Sequence, residues 1–166
     1  QTIYNNVVAH LSEKLETLNK GRKLTYIGIT INLIIAGIII ISMFGKFSDL
    51  IDIISDWPLN LGIGIMALYI SGNYIGNKME YLINNKNWNS ILTGIIGLLT
   101  ILLIGIFFGS TVGFLQEGIE NIGRENGLKN ALIDYYIKPL FWIILFGIIP
   151  TILVGGIMGW NLKTKA

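Results

Sequence analysis

An uninterrupted apolar stretch in the middle of the chain limits its possible folds more than any other feature. Residues 87–116, 30 in all, contain no Asp, Glu, Lys or Arg and lie between Lys86 and Glu117. About 20 apolar residues are enough for one helix to cross a bilayer, whereas helices of soluble proteins are mostly shorter. We therefore predict that residues 90–114 form a membrane-spanning helix.

The composition indicates that the rest of the chain belongs to the same environment. Of the 166 residues, 52% are hydrophobic and 13% are charged, whereas soluble domains carry roughly 25% charged residues. Three further apolar stretches, 24–44, 59–76 and 139–162, are long enough to span a bilayer. The expected fold class is all-α: a polytopic membrane protein of one domain, residues 1–166, with four transmembrane helices in a bundle.

Amphipathic helical segments are expected outside the spans. In residues 2–20, apolar side chains follow the 4-3-4-3 spacing of one helix face, which predicts an amphipathic helix on the cytoplasmic side that ends before Gly21. The same spacing suits a short coiled coil. The two outer-face loops, 46–57 and 115–138, carry similar helical patterns, and residues 77–89 are predicted to form a short basic loop.

The distribution of positive charge predicts the orientation of the chain. Eight Lys and Arg residues lie in the amino-terminal segment, the middle loop and the tail, against four in the outer loops, which also hold seven acids. Positively charged loops stay on the cytoplasmic side of a membrane. We therefore expect an integral membrane protein with both termini in the cytoplasm.

Glycines recur at a spacing of four residues in three of the predicted spans. The helix-packing positions are Gly72, Gly76, Gly105, Gly109, Gly113, Gly155 and Gly159. This glycine-zipper spacing clears one helix face so that a second helix can approach closely. Leu98 and Ile101 occupy that face in the earlier half of the third span. Close packing of this helix is therefore predicted between Gly105 and Gly113.

Few polar side chains interrupt the spans. Asn32 lies near the middle of the first span, where an asparagine usually bonds to a neighbouring helix. Pro150 lies inside the fourth span and is predicted to kink it near Phe146 and Gly147, because proline removes a helical hydrogen bond.

A pore formed by several copies would use the polar residues. Its lining would come from Asn32, Ser71, Asn73, Thr93 and Thr100, with Asp49, Asp52 and Asp56 around the outer mouth. The three aspartates share one helical face, so they also suit the solvated side of an interfacial helix.

The residues needed for catalysis are scarce. The chain has one histidine, no cysteine and none of the common catalytic or phosphate-binding motifs. We therefore expect no enzymatic activity, no cofactor and no metal site. The net charge of +2 is too small, and too dispersed, for nucleic-acid binding.

The function expected from this pattern is structural. The chain is predicted to be a non-enzymatic integral membrane protein that acts through helix packing in the lipid bilayer, as a homo-oligomer or with other membrane subunits. One alternative is an oligomeric channel with an acidic outer mouth. The other is a lipid- or small-molecule-handling membrane protein with a groove between the second and fourth spans.

Overall fold

The computed structural model describes residues 2–44, 48, 51, 55, 58–119 and 127–163. These residues form helices and no strand. We label the helices α1 (Thr2–Phe44), α2 (Pro58–Asn85), α3 (Ser90–Gly113), α4 (Gly127–Leu132) and α5 (Lys138–Leu162). Single π-helical turns, Phe114–Gly118 and Ile133–Ile137, follow α3 and α4.

Three helical segments in the described residues are long and apolar enough to cross a membrane. They are Lys20–Met43, Ser90–Glu117 and Gly127–Leu162. α2 is 28 residues long but is not one of them, because several asparagines and glycines lower its mean hydropathy. The prediction of an all-helical chain with membrane-type helices is confirmed to this extent.

The helices pack as a four-membered ring. α2 and α5 each pack against both α1 and α3, whereas the diagonal pairs make little contact. Each neighbour in the ring is antiparallel to the next, as the glycine contacts show: Gly21 lies beside Gly76, Gly64 beside Gly109, and Gly94 beside Gly159. The arrangement is an up-down-up-down bundle in which consecutive long helices are adjacent.

α1 continues through Gly21, where the sequence predicted a helix end. Among the described glycines, Gly127 alone has a positive φ, of 61°, so Gly21 does not adopt the left-handed conformation that ends many helices. A Cβ atom on Gly21 would lie 2.5 Å from the Gly76 carbonyl oxygen. Gly21 therefore serves the contact with α2. The amphipathic face predicted for residues 2–20 rests on side chains outside the described part of the structure.

α2 also extends beyond its predicted end, because the segment expected to form a loop packs into the bundle. Met79, Glu80 and Ile83 are buried, and the helix continues to Asn85. The turn that follows is confined to residues 86–89. Asn87 there has a φ of 53°, and the Asn89 side chain caps α3 by accepting a hydrogen bond from the Leu92 N–H at 3.1 Å.

The second predicted outer loop is partly an extension of the last helix. Gly127–Leu162 forms one helical segment of 36 residues, so Pro139 does not begin a separate helix. The Lys138 N–H bonds to the Ile133 carbonyl, giving one wide turn directly before Pro139. Asp134 and Lys138, four residues apart on this segment, form an ion pair with Nζ and Oδ1 2.6 Å apart.

The two ends of the bundle differ in packing. At the end where Gly21, Gly76, Gly94 and Gly159 meet, which we call the closed end, the helix backbones are in contact. The largest fully buried side chains are Thr25, Leu98, Ile101, Thr151 and Leu162, which lie at this end or near the bundle's middle. The opposite end, near Met43 and Trp142, we call the open end.

The tightest approach of α3 lies at the closed end rather than between Gly105 and Gly113. A Cβ atom on Gly94 would lie 2.6 Å from Gly159 Cα, whereas one on Gly109 would lie 3.2 Å from the Asn60 carbonyl oxygen. The prediction treated α3 as having one packing face. In the structure Gly94 faces α5 and Gly109 faces α2, so neither Leu98 nor Ile101 prevents the contact at Gly94.

Replacing Gly94 with alanine should destabilise the bundle. The added methyl group would clash with α5 backbone atoms, which cannot rotate away, and overpacking of this kind costs about 1–3 kcal/mol. Gly37→Ala is the matched control, because no atom lies within 4 Å of the position of its Cβ. Reversible unfolding in mixed micelles should show a loss for Gly94→Ala and none for Gly37→Ala; equal stabilities would contradict the contact.

Candidate functional site

A cleft separates α1 from α5 at the open end. Its volume is about 450 Å³, within the range of roughly 300–1,000 Å³ found for small-molecule sites. Its floor is formed by Leu68, Leu98, Ile101 and Leu102 of α2 and α3. Its walls are formed by Leu33, Ala36, Ile39, Ile40 and Met43 of α1 and by Trp142, Ile143, Phe146, Gly147 and Pro150 of α5.

The position of the cleft differs from the predicted groove. A groove was expected between the second and fourth spans, but α2 and α5 are diagonal in the ring and make little contact. The cleft instead lies along the seam between the first and last spans, with α2 contributing to its floor.

The seam opens because small residues that bring α1 and α5 together occur at one end. A Cβ atom on Gly28 would lie 3.3 Å from Met158 Sδ and 3.5 Å from Val154 Cγ1, so the helices touch there. Farther along α1, Gly37 has no atom within 4 Å of its Cβ position. Bulky isoleucines and aromatic residues line the seam from there to the open end and hold the helices apart.

The cleft has little polar lining. Asn32 and Thr151 are the polar side chains at its surface, and Thr151 is only 1% exposed. The Asn32 Oδ1 atom is buried and accepts no hydrogen bond from the described residues. The interhelical bond that its position predicted is therefore absent at this oxygen.

Pro150 interrupts the helical hydrogen bonds of α5 beside the cleft. Proline has no N–H, so the Phe146 carbonyl cannot receive the usual helical bond from position 150. Phe146, Gly147 and Pro150 all line the cleft. α5 nevertheless continues through Pro150 to Leu162.

Aromatic side chains surround the open end. Trp142 stacks on Phe146, with ring centroids 5.8 Å apart and planes inclined by 3°. Nearby, Tyr136 donates a hydrogen bond to Thr111 at 3.2 Å, and Tyr135 donates one to Glu117 at 3.3 Å. Such belts are typical of membrane–water interfaces. The sequence interpretation missed this group, although the aromatic residues around 135–146 were a usable signal.

The seven glycines of the predicted packing set all lie against another part of the same chain. Gly72 and Gly76 face α1, Gly105 and Gly109 face α2, Gly155 and Gly159 face α3, and Gly113 lies beside Asn60 and Tyr135. Their close-approach faces are thus occupied within one copy. Gly37 and Gly62 differ, because each has open space where a Cβ atom would be.

The residues predicted to line a pore are not brought together within one chain. Asn73 and Thr100 are exposed, whereas Thr93 is buried. The hydroxyls of Ser71, Thr93 and Thr100 bond to carbonyls of the preceding turn, at 2.7, 2.7 and 2.8 Å respectively. Asn32 alone among them reaches the cleft. Asp49, Asp52 and Asp56 lie outside the described residues.

A buried carboxyl group lies at the closed end, where sequence reasoning expected a loop. Glu80 is 4% exposed, and its Oε2 accepts a hydrogen bond of 2.5 Å from the Gly21 N–H. Its Oε1 is buried without a partner among the described residues. The carboxyl group therefore joins α1 to α2 beside the Gly21–Gly76 contact.

The environment of Glu80 favours its neutral form. Glu80 lies beyond the predicted second span, 59–76. Burial raises the pKa of its carboxyl group above the ordinary value of 4.5, although the Gly21 hydrogen bond and the positive charge of Lys20 act in the opposite direction. Among the described residues, no three His, Cys, Asp or Glu side chains are grouped so as to hold a metal ion.

Comparisons of the chain with known protein families, with curated proteins and with solved structures find no match. The cleft and the buried carboxyl group are therefore the features from which a function can be argued. The carboxyl group makes a contact between helices, whereas the cleft has room for another molecule.

The raised pKa of Glu80 predicts a pH-dependent stability. Because the folded-state pKa lies above the unfolded one, the stabilisation is complete below about pH 4.5 and is lost as pH rises through the folded value. Glu80→Gln keeps an oxygen acceptor for Gly21 and cannot ionise, so its thermal stability should vary less between pH 4 and pH 8. Glu117→Gln alters an exposed carboxyl group and should keep the wild-type slope. Equal slopes for wild type and Glu80→Gln would contradict the assignment.

Proposed function

We propose that this chain is a non-enzymatic integral membrane protein with four spans that holds a hydrophobic molecule in the cleft between α1 and α5. The observation that carries the proposal is the cleft itself, an apolar space of about 450 Å³ along an open seam. The molecule enters from the hydrocarbon of the bilayer, because the outer faces of α1 and α5 on both sides of the seam are apolar.

The energetics favour an occupied cleft. Empty space beside apolar side chains leaves them without contact partners, so an occupant that touches this lining adds favourable packing. Water is a poor occupant, because it needs several polar partners and this lining offers few. Hydrocarbon is the occupant that matches the lining.

Four spans are proposed because α2 lies between two helices of membrane type. α2 is antiparallel to α1 and α3 and packs against both. Its 28 residues give a length of about 42 Å, which exceeds a hydrocarbon core of roughly 30 Å. A helix held in this way crosses wherever its neighbours cross.

Both termini are proposed to be cytoplasmic. The antiparallel arrangement gathers basic residues of four segments at the closed end. They are Lys20, Arg22, Lys23, Lys78, Lys86 and Lys163. This concentration supports a cytoplasmic closed end, which leaves the aromatic open end on the other side.

Cysteine labelling should test the four-span arrangement, since the chain has no natural cysteine. In intact cells, Lys129→Cys should react with a membrane-impermeant maleimide, whereas Asn87→Cys should react only after permeabilisation. If α2 does not cross, residues 86–89 and Ser48 lie on the same side. Equal labelling of Asn87→Cys and Ser48→Cys in intact cells would therefore rule out four spans.

Assembly with further copies or with other membrane subunits is the second candidate function. It is supported by the small fraction of residues that are buried in two of the apolar segments. Only 11% of the most apolar 18-residue window of Gly127–Leu162 is buried, and 17% of that of Lys20–Met43. The predicted glycine set is occupied internally, so such contacts would use the isoleucine-rich outer faces. The copy number in native mass spectra tests this candidate.

Filling the cleft should displace a bound lipid. Gly147 lines the cleft, and a Cβ atom there would meet only ordinary contacts, 3.6 Å from Ile143 Cγ2 and 3.7 Å from Leu102 Cδ2. Gly147→Phe should therefore fold and occupy the space. Native mass spectrometry of protein exchanged from phosphatidylcholine vesicles into detergent should show one retained lipid fewer for Gly147→Phe than for wild type.

The matched control is Gly62→Phe, which adds the same side chain at an exposed position of α2 with open space around it. It should retain the wild-type number of lipids. Equal retention in wild type and Gly147→Phe, with both folded by circular dichroism, would overturn the proposed function.

A further inference from the structure

The polar group of the cleft lies deep in the membrane. Asn32 is twelve positions after Lys20, the first residue of the apolar segment Lys20–Met43. At 1.5 Å per residue this places it about 18 Å along the helix, near the middle of a core roughly 30 Å thick. A polar side chain at this depth has no access to interfacial water.

The oxygen of the Asn32 carboxamide does not join helices within the described residues. Its Oδ1 is buried and has no hydrogen-bond partner in the described part of the chain. Leaving a buried acceptor unpaired costs roughly 1–3 kcal/mol. Because the side chain lines the cleft, rotation of the carboxamide can bring its oxygen to a molecule bound there, which then supplies the missing partner.

Pro150 interrupts the opposite wall of the seam. Phe146 lines the opposite wall, and its carbonyl lacks the helical bond from position 150 because Pro150 has no N–H. Asn32 on one wall and the nearly buried Thr151 on the other are the polar side chains of an otherwise apolar lining. The lining residues include no Lys, Arg, His, Asp or Glu.

We infer that the cleft selects an uncharged, largely hydrocarbon molecule that carries a hydroxyl group, with the hydroxyl bound to Asn32 at mid-membrane depth. The inference rests on the proposed function and names its ligand class. A hydroxyl both donates and accepts, so it pairs with a carboxamide in either of the two orientations of that group.

Other lipid classes fit less well. A phospholipid keeps its charged headgroup at the interface, so its acyl chain would fill the cleft and leave Asn32 unpaired. A fatty acid would bring a carboxylate to a lining without a cation, where an unpaired charge is costly. A long-chain or polycyclic alcohol satisfies both the apolar walls and the carboxamide.

Fluorescence quenching of Trp142 can test this preference. Trp57, Trp88 and Trp160 are changed to phenylalanine, which leaves Trp142 on the cleft wall as the reporter. The protein is placed in phosphatidylcholine nanodiscs, and two probes are titrated: a bromine-labelled long-chain alcohol and the bromoalkane of equal length. One added hydrogen bond should make the alcohol bind roughly three- to tenfold more tightly than the alkane.

Asn32→Leu should remove this preference, so that the alcohol and the alkane bind with equal affinity. Asn32→Ala, which adds no bulk, gives the same result if the leucine variant folds poorly. Asn73→Leu is the matched control, because Asn73 is exposed on α2 and does not line the cleft; it should keep the wild-type preference. Gly147→Phe, made in the same background, gives the level of quenching by probes in the surrounding bilayer.

The outcomes separate the two proposals. If the alcohol and the alkane quench Trp142 with equal affinity, and Asn32→Leu changes neither, the hydroxyl inference is wrong and the proposed function stands. If neither probe quenches wild type beyond the Gly147→Phe level, the cleft binds neither and the proposed function fails as well.

Discussion

Direct contact between helix backbones at the closed end is the interaction on which the bundle depends. Within a bilayer the hydrophobic effect does not drive helices together, so stability comes from close packing and hydrogen bonds between them. Gly94 meets Gly155 and Gly159, and Gly21 meets Gly76, at distances that a β-carbon would not allow. Glu80 adds a hydrogen bond from one of these helices to the next at the same level. Because these contacts are at one end, they fix the ring there and leave the other end free to diverge.

The cleft follows from this unequal distribution of small residues. α1 and α5 touch where Gly28 lies beside Met158 and Val154, and farther out no glycine of α1 meets α5. Side chains as large as Ile143 and Phe146 then separate the two helices. The most apolar windows of α1 and of the segment that contains α5 are only 17% and 11% buried, so in a membrane the seam between these helices would face lipid. The same feature that closes one end of the bundle therefore produces a binding-sized space near the other.

The sequence predicted the helical class because periodicity and long apolar runs are local properties, and residues 90–114 agree closely with α3. It did not predict the features that depend on contacts between helices. Gly21 was interpreted as a helix end, although α2 packs on it. Residues 77–85 were interpreted as a loop, although Met79 and Ile83 there are buried in the core. Their burial depends on α1 and α3 and therefore could not be predicted from the local sequence. The glycine spacing indicated packing positions but not their partners. The sequence identified Asn32 as a polar residue within a predicted span, but whether its oxygen has a hydrogen-bond partner depends on how the other helices pack around it.

Two buried polar groups, the Glu80 carboxyl and the Asn32 oxygen, differ in what offsets the cost of burying them. Glu80 lies near the basic end of the bundle, where protonation, Lys20 and the Gly21 N–H all reduce the cost of burying it. The Asn32 oxygen has no such compensation among the described residues, since a carboxamide does not titrate and the side chains around it in the cleft are almost all apolar. A group left unpaired at mid-membrane depth is retained at a cost in stability that its contacts within the chain do not offset. A ligand hydroxyl at Asn32 would remove that cost, and for this reason the cleft, rather than the better-bonded carboxyl group, carries the functional argument.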